Sequence, residues 1–248
     1  MADSSTVADA KSSSPTPKRE RRRRGSITAE DIINGAFELA NEVSIGGLSM
    51  PLLAKHLGVG VTSIYWYFRK KEELLDAMTD RATKQYHFVT PFVGDETWTD
   101  GLRNHFRKMH RVFQENPVLC DLILMRSGEI SPEATHATVE KLETVVGTMV
   151  EAGFSSEDAF DVYLALSVHT RGSAILDHLN TANVQEGSVR ATGVTTEQPL
   201  LHALQAKGHS LAGLDFEFTL EAIIARAENL LEQDVARAQH EVRKASSQ

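Results

Sequence analysis

Apolar residues recur every three or four positions along most of this chain, and no pair of segments alternates as paired strands do. Ile32, Ile33, Ala36, Phe37, Leu39 and Ala40 mark a first helix. Thr28 suits its N-cap with Asp31 as the capping partner, and it should end near Val43, before Gly46-Gly47. Ser49 can cap a second helix, and Pro51 fits its first turn, where a missing N–H costs little. Leu52, Leu53, Ala54 and Leu57 supply its apolar face, and Gly58 stops it. A third helix starts after Gly60, with Thr62 or Ser63 near its N-terminus. A fourth begins near Lys71 and runs through Leu74, Leu75, Ala77 and Met78 towards Phe88, before Pro91 and Gly94 break the chain.

The rest is also patterned as helix. Trp98 to Glu115 is amphipathic and stops before Asn116-Pro117. Pro117 to Arg126 reads as a short apolar helix. Ser131-Pro132-Glu133 starts another that runs to Ala152 and is closed by Gly153. Ser155 with Asp158 opens the next, which should reach about His178. Residues 180–212 carry Gly187, Gly193, Pro199 and Gly208 and read as a long functional or mobile loop, with a short helix at Pro199 to Ala206. A final helix, Asp215 to about Val242, is expected to be the longest. The predicted fold class is all-α: a small three-helix head followed by a larger helical body.

Composition and charge divide the chain further. Residues 1–26 hold Ser, Thr, Ala, Pro and Arg with almost no large apolar side chains, so they are expected to be a disordered tail, ending in the basic run Lys18 to Arg24. The chain carries a net charge of −8, but unevenly. Residues 1–78 hold 11 Lys and Arg against 10 Asp and Glu, and the remainder 15 against 24. A weakly basic head on an acidic body suits a nucleic-acid reader attached to something else. The expected units are the tail 1–26, the head 27–78 and the body 79–248. One cysteine, Cys120, excludes an intramolecular disulfide. No apolar run is long enough to span a membrane and no apolar leader opens the chain, so a cytoplasmic protein is expected.

Leu48 to Lys71, LSMPLLAKHLGVGVTSIYWYFRKK, carries the most chemistry. Two short helices around a glycine turn make a helix-turn-helix, whose second helix enters a DNA groove. Leu48, Leu53, Leu57, Val59 and Ile64 can set the angle between them, leaving Thr62, Ser63, Tyr65, Trp66 and Tyr67 outward to reach bases, sugars and phosphates. Lys70 and Lys71 would meet phosphates as the chain leaves the groove. An aromatic run at helical spacing is more often core than contact surface. Four consecutive aromatics, Tyr65 to Phe68, cannot all face one core, however.

These residues resemble the tetracycline-repressor (TetR) family. The shared pattern is Gly47-Leu48-Ser49, Leu53-Ala54, Leu57-Gly58-Val59, Ile64-Tyr65-Trp66-Tyr67-Phe68 and Lys71-Glu72-Glu73-Leu74-Leu75, over about residues 27–78 without a gap. The resemblance implies that Ser49, Thr62, Ser63, Tyr65, Trp66 and Tyr67 lie at the DNA, with Lys70 and Lys71 at phosphates. Pro51 stands where the tetracycline-repressor subgroup has an arginine base reader, so the operator should differ. More weakly, Leu142 to Gly172 and the start of the last helix resemble the same subgroup, whose last two long helices form a four-helix bundle across a dimer two-fold. An apolar stripe of Phe160, Tyr163, Leu164, Leu166 and Ser167 exceeds what one face of a small body needs, in keeping with that bundle.

The expected function is therefore that of a homodimeric transcriptional regulator, most simply a repressor, bound to a palindromic double-stranded operator and released by a small, largely apolar effector. His105, Met109, Phe113, Met125, Arg126 and His169 are candidate effector contacts, between the helices at 98–126 and 131–178. Arg21, Arg22, Arg23 and Arg24 are candidates for a minor-groove or phosphate arm, with non-specific attraction as the alternative. No metal or cofactor is expected: His105 and His110 are five apart, no metal-ligand spacing occurs, and Val112 and Leu176 fall where the subgroup's drug–magnesium ligands would stand. No nucleophile motif or phosphate-binding glycine loop supports catalysis. The alternatives are an architectural or partner-binding helical protein without an inducer, and a helical-bundle enzyme.

Overall fold

The computed structural model describes residues 27–85, 97–126, 131–185, 194–208 and 215–245. All regular elements among them are helical. The Arg21–Arg24 arm, residues 86–88 of the expected fourth helix, and parts of the 180–212 loop lie outside the described residues.

Helix α1, Ala29–Gly47, opens on a complete capping box: the Thr28 hydroxyl accepts from the Asp31 amide, and the Asp31 carboxylate accepts from the Thr28 amide. Its regular part ends where expected, because Ser44 adopts a left-handed φ of 62° and a short turn completes the element. Helices α2 (Met50–Leu57) and α3 (Val61–Tyr65) follow, then α4 (Lys71–Gln85). Ile32, Leu53, Ile64, Leu74 and Met78 form the fully buried centre of this head.

The body contains α5 (Trp98–Glu115), α6 (Pro117–Leu119), α7 (Pro132–Glu151), α8 (Ser156–Gln185), α9 (Pro199–Ala206) and α10 (Phe216–Ala245). Its core is built on Leu102, Phe106, Met149, Leu166, Leu220 and Ile224. The expected single helix from Pro117 to Arg126 is instead the turn α6 continued by a π-helical segment, Cys120–Met125. Apolar periodicity does not separate the two, since the hydrogen-bond register shifts without changing which residues are apolar. Helix α8 passes the expected end at His178 and equals α10 at 30 residues. The Ser155 hydroxyl caps α8 at the Asp158 amide, and the Asp234 carboxylate of α10 accepts from the Ser155 amide. That backbone bond holds the Asp234 carboxyl below its usual range.

The two cores are joined by side chains that belong to both. Phe37 of α1 and Ile123 of the π segment pack against each, and Val118 and Leu122 complete the core of the head from the body side. A boundary at residue 78 therefore falls inside α4, whose Leu74, Leu75 and Met78 serve the head and whose Ala82 serves the body.

Phe106 is fully buried on α5. Phe106→Ala should cost about 3–5 kcal/mol through lost burial and the cavity left behind. Urea denaturation checks this: the midpoint should fall while the slope is unchanged.

Candidate nucleic-acid interface and effector region

The head's turn is built by backbone geometry. Gly58 sits in the left-handed region at φ 69°, and the Val59 amide closes α2 on the Ala54 carbonyl. Gly60 then caps α3. Ile64 is completely buried and Phe68 nearly so, which fixes the rotation of this five-residue helix. The rotation turns Thr62 outward, leaves Ser63 half-buried, and exposes Tyr65 by 44% and Trp66 by 79%. Trp66 stands edge-on to Tyr67, with ring centroids 4.8 Å apart. Arg69 and Lys70 are exposed where the chain passes to α4.

Three of the expected contact residues hold the head together. The half-buried Tyr67 donates its hydroxyl to the Ile27 carbonyl at 2.8 Å, tying the reading segment to the start of the head. Lys71 donates its ammonium to the Ile45 carbonyl at 2.8 Å. The Ser44 break leaves carbonyls at the end of α1 without helical partners, and a cation is a favourable donor to them. The Ser49 hydroxyl accepts from the Leu52 amide at 3.4 Å as the cap of α2. Arg69, which is not among the expected contacts, donates its amide to Glu73 Oε2 and stands beside Lys70 on the exposed exit. The one signal for it was the basic triplet Arg69-Lys70-Lys71.

The expected effector residues do not form one group. His105, Met109 and Phe113 lie along one face of α5, at intervals of four. Met109 and Phe113 are core residues, and His105 packs edge-on to Phe106 and 6.1 Å from Tyr163. His105 Nε2 is buried without a hydrogen-bond partner. Burial pushes its pKa down to about 4, so the ring is neutral. His169 is pinned elsewhere: its Nε2 lies 3.0 Å from the Phe216 carbonyl, and its ring stacks on Phe216. Phe216 also stacks with His110, at 4.0 Å between centroids. Burial lowers the His110 pKa despite Asp177 at 3.1 Å.

Met125 and Arg126 stand at another place in the fold. Met125 is exposed, and Arg126 reaches to α4, donating to Asp76 Oδ1 at 2.7 Å and to the Glu72 carbonyl. The π segment ends against α4, so both residues belong to the junction of head and body and not to the group around His105.

Comparison with known proteins decides the family. The tetR family of bacterial regulatory proteins matches residues 32–78. An HTH-type transcriptional repressor of Mycobacterium tuberculosis is 52% identical over 227 residues, covering 87% of this chain and 86% of its own length. The chain belongs to the TetR family. As a TetR-family protein it is a regulator and not an enzyme. The class A tetracycline repressor of Escherichia coli is 29% identical over 179 residues, covering 69% of this chain and 76% of its own. The crystal structure of ActR from Streptomyces coelicolor in complex with actinorhodin shares the fold, with a TM-score of 0.59 at 22% identity, covering 82% of this chain and 96% of that one. No helix of the described residues is long and apolar enough to cross a membrane.

Two measurements check the site's internal bonds. Tyr67→Phe removes only the bond to Ile27 and should lower stability by about 1 kcal/mol. The unfolding midpoint reports it, and an unchanged midpoint would show that the bond does not hold the head. His105 has a folded pKa of about 4, below the ordinary value of 6.5. As pH falls through that window the unfolded chain takes up a proton that the folded chain refuses. Stability should therefore drop with falling pH, by about 3 kcal/mol in all. His105→Phe should lack this part of the slope when midpoints are compared at roughly pH 7 and pH 4.5. Parallel slopes in the two proteins would contradict a neutral, buried His105.

Proposed function

We propose that this regulator is a repressor that binds a palindromic operator as a homodimer and is released by a small molecule. The observation that carries this reading is the exposure of Tyr65 and Trp66, with Thr62, on a short helix whose other face is locked by Ile64 and Phe68. Large aromatics so exposed suit contact with sugars and thymine methyls. Residues 27–78 act as the reader and 79–248 as the body that binds effector and partner. Ser63 joins the reading surface, while Arg69 and Lys70 take the phosphates. Ser49, Tyr67 and Lys71 act mainly by holding the reader in shape, with remaining donors of Lys71 free to face the backbone of the DNA. Arg21–Arg24 serve as a phosphate or minor-groove arm.

Dimerisation rests on the outer side of the last two long helices. Tyr163, Leu166 and Ser167 of the expected stripe are buried within the chain, while Phe160 and Leu164 face outward with Val168, which is 63% exposed. On α10, Phe218 is 75% exposed and is followed on the same face by the small residues Ala222 and Ala225. Paired α8 and α10 helices from two chains would cover this surface, and two heads related by the two-fold would read half-sites a fixed distance apart. The named repressor from Mycobacterium tuberculosis and the actinorhodin complex of ActR support repression and effector binding, respectively. For the effector, His105 Nε2 offers one hydrogen bond beside the apolar Met109 and Phe113. Release requires only that the effector bind the DNA-incompetent arrangement more tightly, by a few kcal/mol. A cytoplasmic location accords with this function.

Selection of bound sites from random DNA should return a palindrome, and footprinting should show two protected half-sites. Trp66→Ala should weaken that binding by about 1–3 kcal/mol, and Lys70→Ala should lower the slope of log affinity against log salt by about 1. Equal affinity of the wild type for all sequences would sink the operator reading. Val168→Asp should yield monomers in sedimentation and lose the footprint with them; a stable dimer would refute the α8–α10 interface.

A further inference from the structure

A cleft of about 360 Å³ opens between the head and the body. That size suits a small ligand. One wall is a single face of α1, where Asn34, Glu38 and Asn41 are exposed and Phe37 is half-buried. The opposite walls are Arg81 and Gln85 at the end of α4 and the buried Val118 and Leu119 of α6.

The chemistry of the lining is specific. The lining carries one charge of each sign: Arg81, whose Nη1 lies 2.8 Å from Glu30 Oε1 but is buried without a hydrogen bond, and Glu38, whose Oε2 lies 3.2 Å from His56 Nε2. With one cation and one anion on the lining, the cleft favours neither a net anion nor a net cation. The carboxamides of Asn34, Asn41 and Gln85, in contrast, make no hydrogen bond within the chain among the described residues. Each offers both donors and an acceptor, the match for a hydroxyl, which is also both. Phe37, Val118 and Leu119 add one apolar wall to this polar rim. Groups that both donate and accept, set opposite an apolar wall, fit a ring that bears hydroxyls at its edge and C–H bonds on its face.

We propose that this cleft binds an uncharged sugar or polyol. Its hydroxyls are taken by Asn34, Asn41 and Gln85, and its C–H face lies on Phe37 and Leu119. Phe37 packs against the cores of head and body alike, so an occupant touches both units. Its affinity therefore depends on how the head sits on the body, and by linkage it shifts that placement. This is a second input, distinct from effector binding at His105, and binding here is measurable without DNA.

The test is saturation-transfer NMR on the full chain with glucose, mannose, N-acetylglucosamine and trehalose, each at about 5 mM, a range suited to weak ligands. Transfer to the ring C–H protons of at least one sugar is expected. It should weaken about tenfold or more in Asn34→Ala/Asn41→Ala, a loss of at least one decade in affinity. It should also be blocked by Asn41→Trp, which fills the rim at an exposed position. His105→Phe should leave it unchanged. No transfer to any of the four sugars would overturn the proposal. So would transfer that survives both cleft variants in folded protein, or preferential binding of the anion gluconate. None of these outcomes bears on operator release, which is read separately by footprinting.

Discussion

Helix α4 belongs to two cores at once, and the placement of the reading head depends on it. Leu74, Leu75 and Met78 are buried under the head, while Ala82 is buried in the body. Its polar side is tied down as firmly. Arg126 bonds to Asp76, the Ser131 amide donates to Asp80 at 2.9 Å, and Thr79 lies 3.5 Å from the Leu122 carbonyl. These partners stand within the π segment, just after it, or at the start of α7. A rearrangement of these body elements therefore moves α4 and, with it, the head. Close-packed interiors transmit such displacements because they do not deform continuously.

Helix α3 and the turn after it show how a small module carries exposed aromatics. Tyr65, Trp66, Tyr67 and Phe68 follow one another, and helical geometry sends them in different directions. Phe68 enters the core, Tyr67 spans to Ile27, and Tyr65 and Trp66 are left outside. The buried pair fixes the rotation that presents the exposed pair. Lys71 works in the same sense from the other end, holding the last turn of α1 against the start of α4 through the Ile45 carbonyl.

Much of the local structure was legible in the chain. The Thr28 capping box, the Ser49 cap, the Gly58 stop and the Ser155–Asp158 cap are short-range signals, and each forms as its spacing requires. The placement of the expected effector residues was less legible. His105, Met109 and Phe113 share a face of one helix, so periodicity groups them correctly. Met125 and Arg126 follow an apolar run that looks helical, but a π register turns its end onto α4. Hydrophobic spacing carries no record of that register shift, nor of a partner 50 residues away. The same holds for His169, drawn to Phe216 across 47 positions.

The sequence by itself determined what local physics decides: where helices start and stop, which faces are apolar, and a reader whose residue pattern matches the TetR family. Only the tertiary structure decided which polar groups are occupied. Tyr67 and Lys71 carry donors expected at DNA, yet Tyr67 gives its hydroxyl and Lys71 one of its three ammonium donors to backbone carbonyls 40 and 26 residues away. Those carbonyls become available only once α1 ends at Ser44 and the head closes on Ile27. Caps and periodicities are set within one or two turns of chain, whereas a long-range hydrogen bond exists only after the packing that brings its partners together.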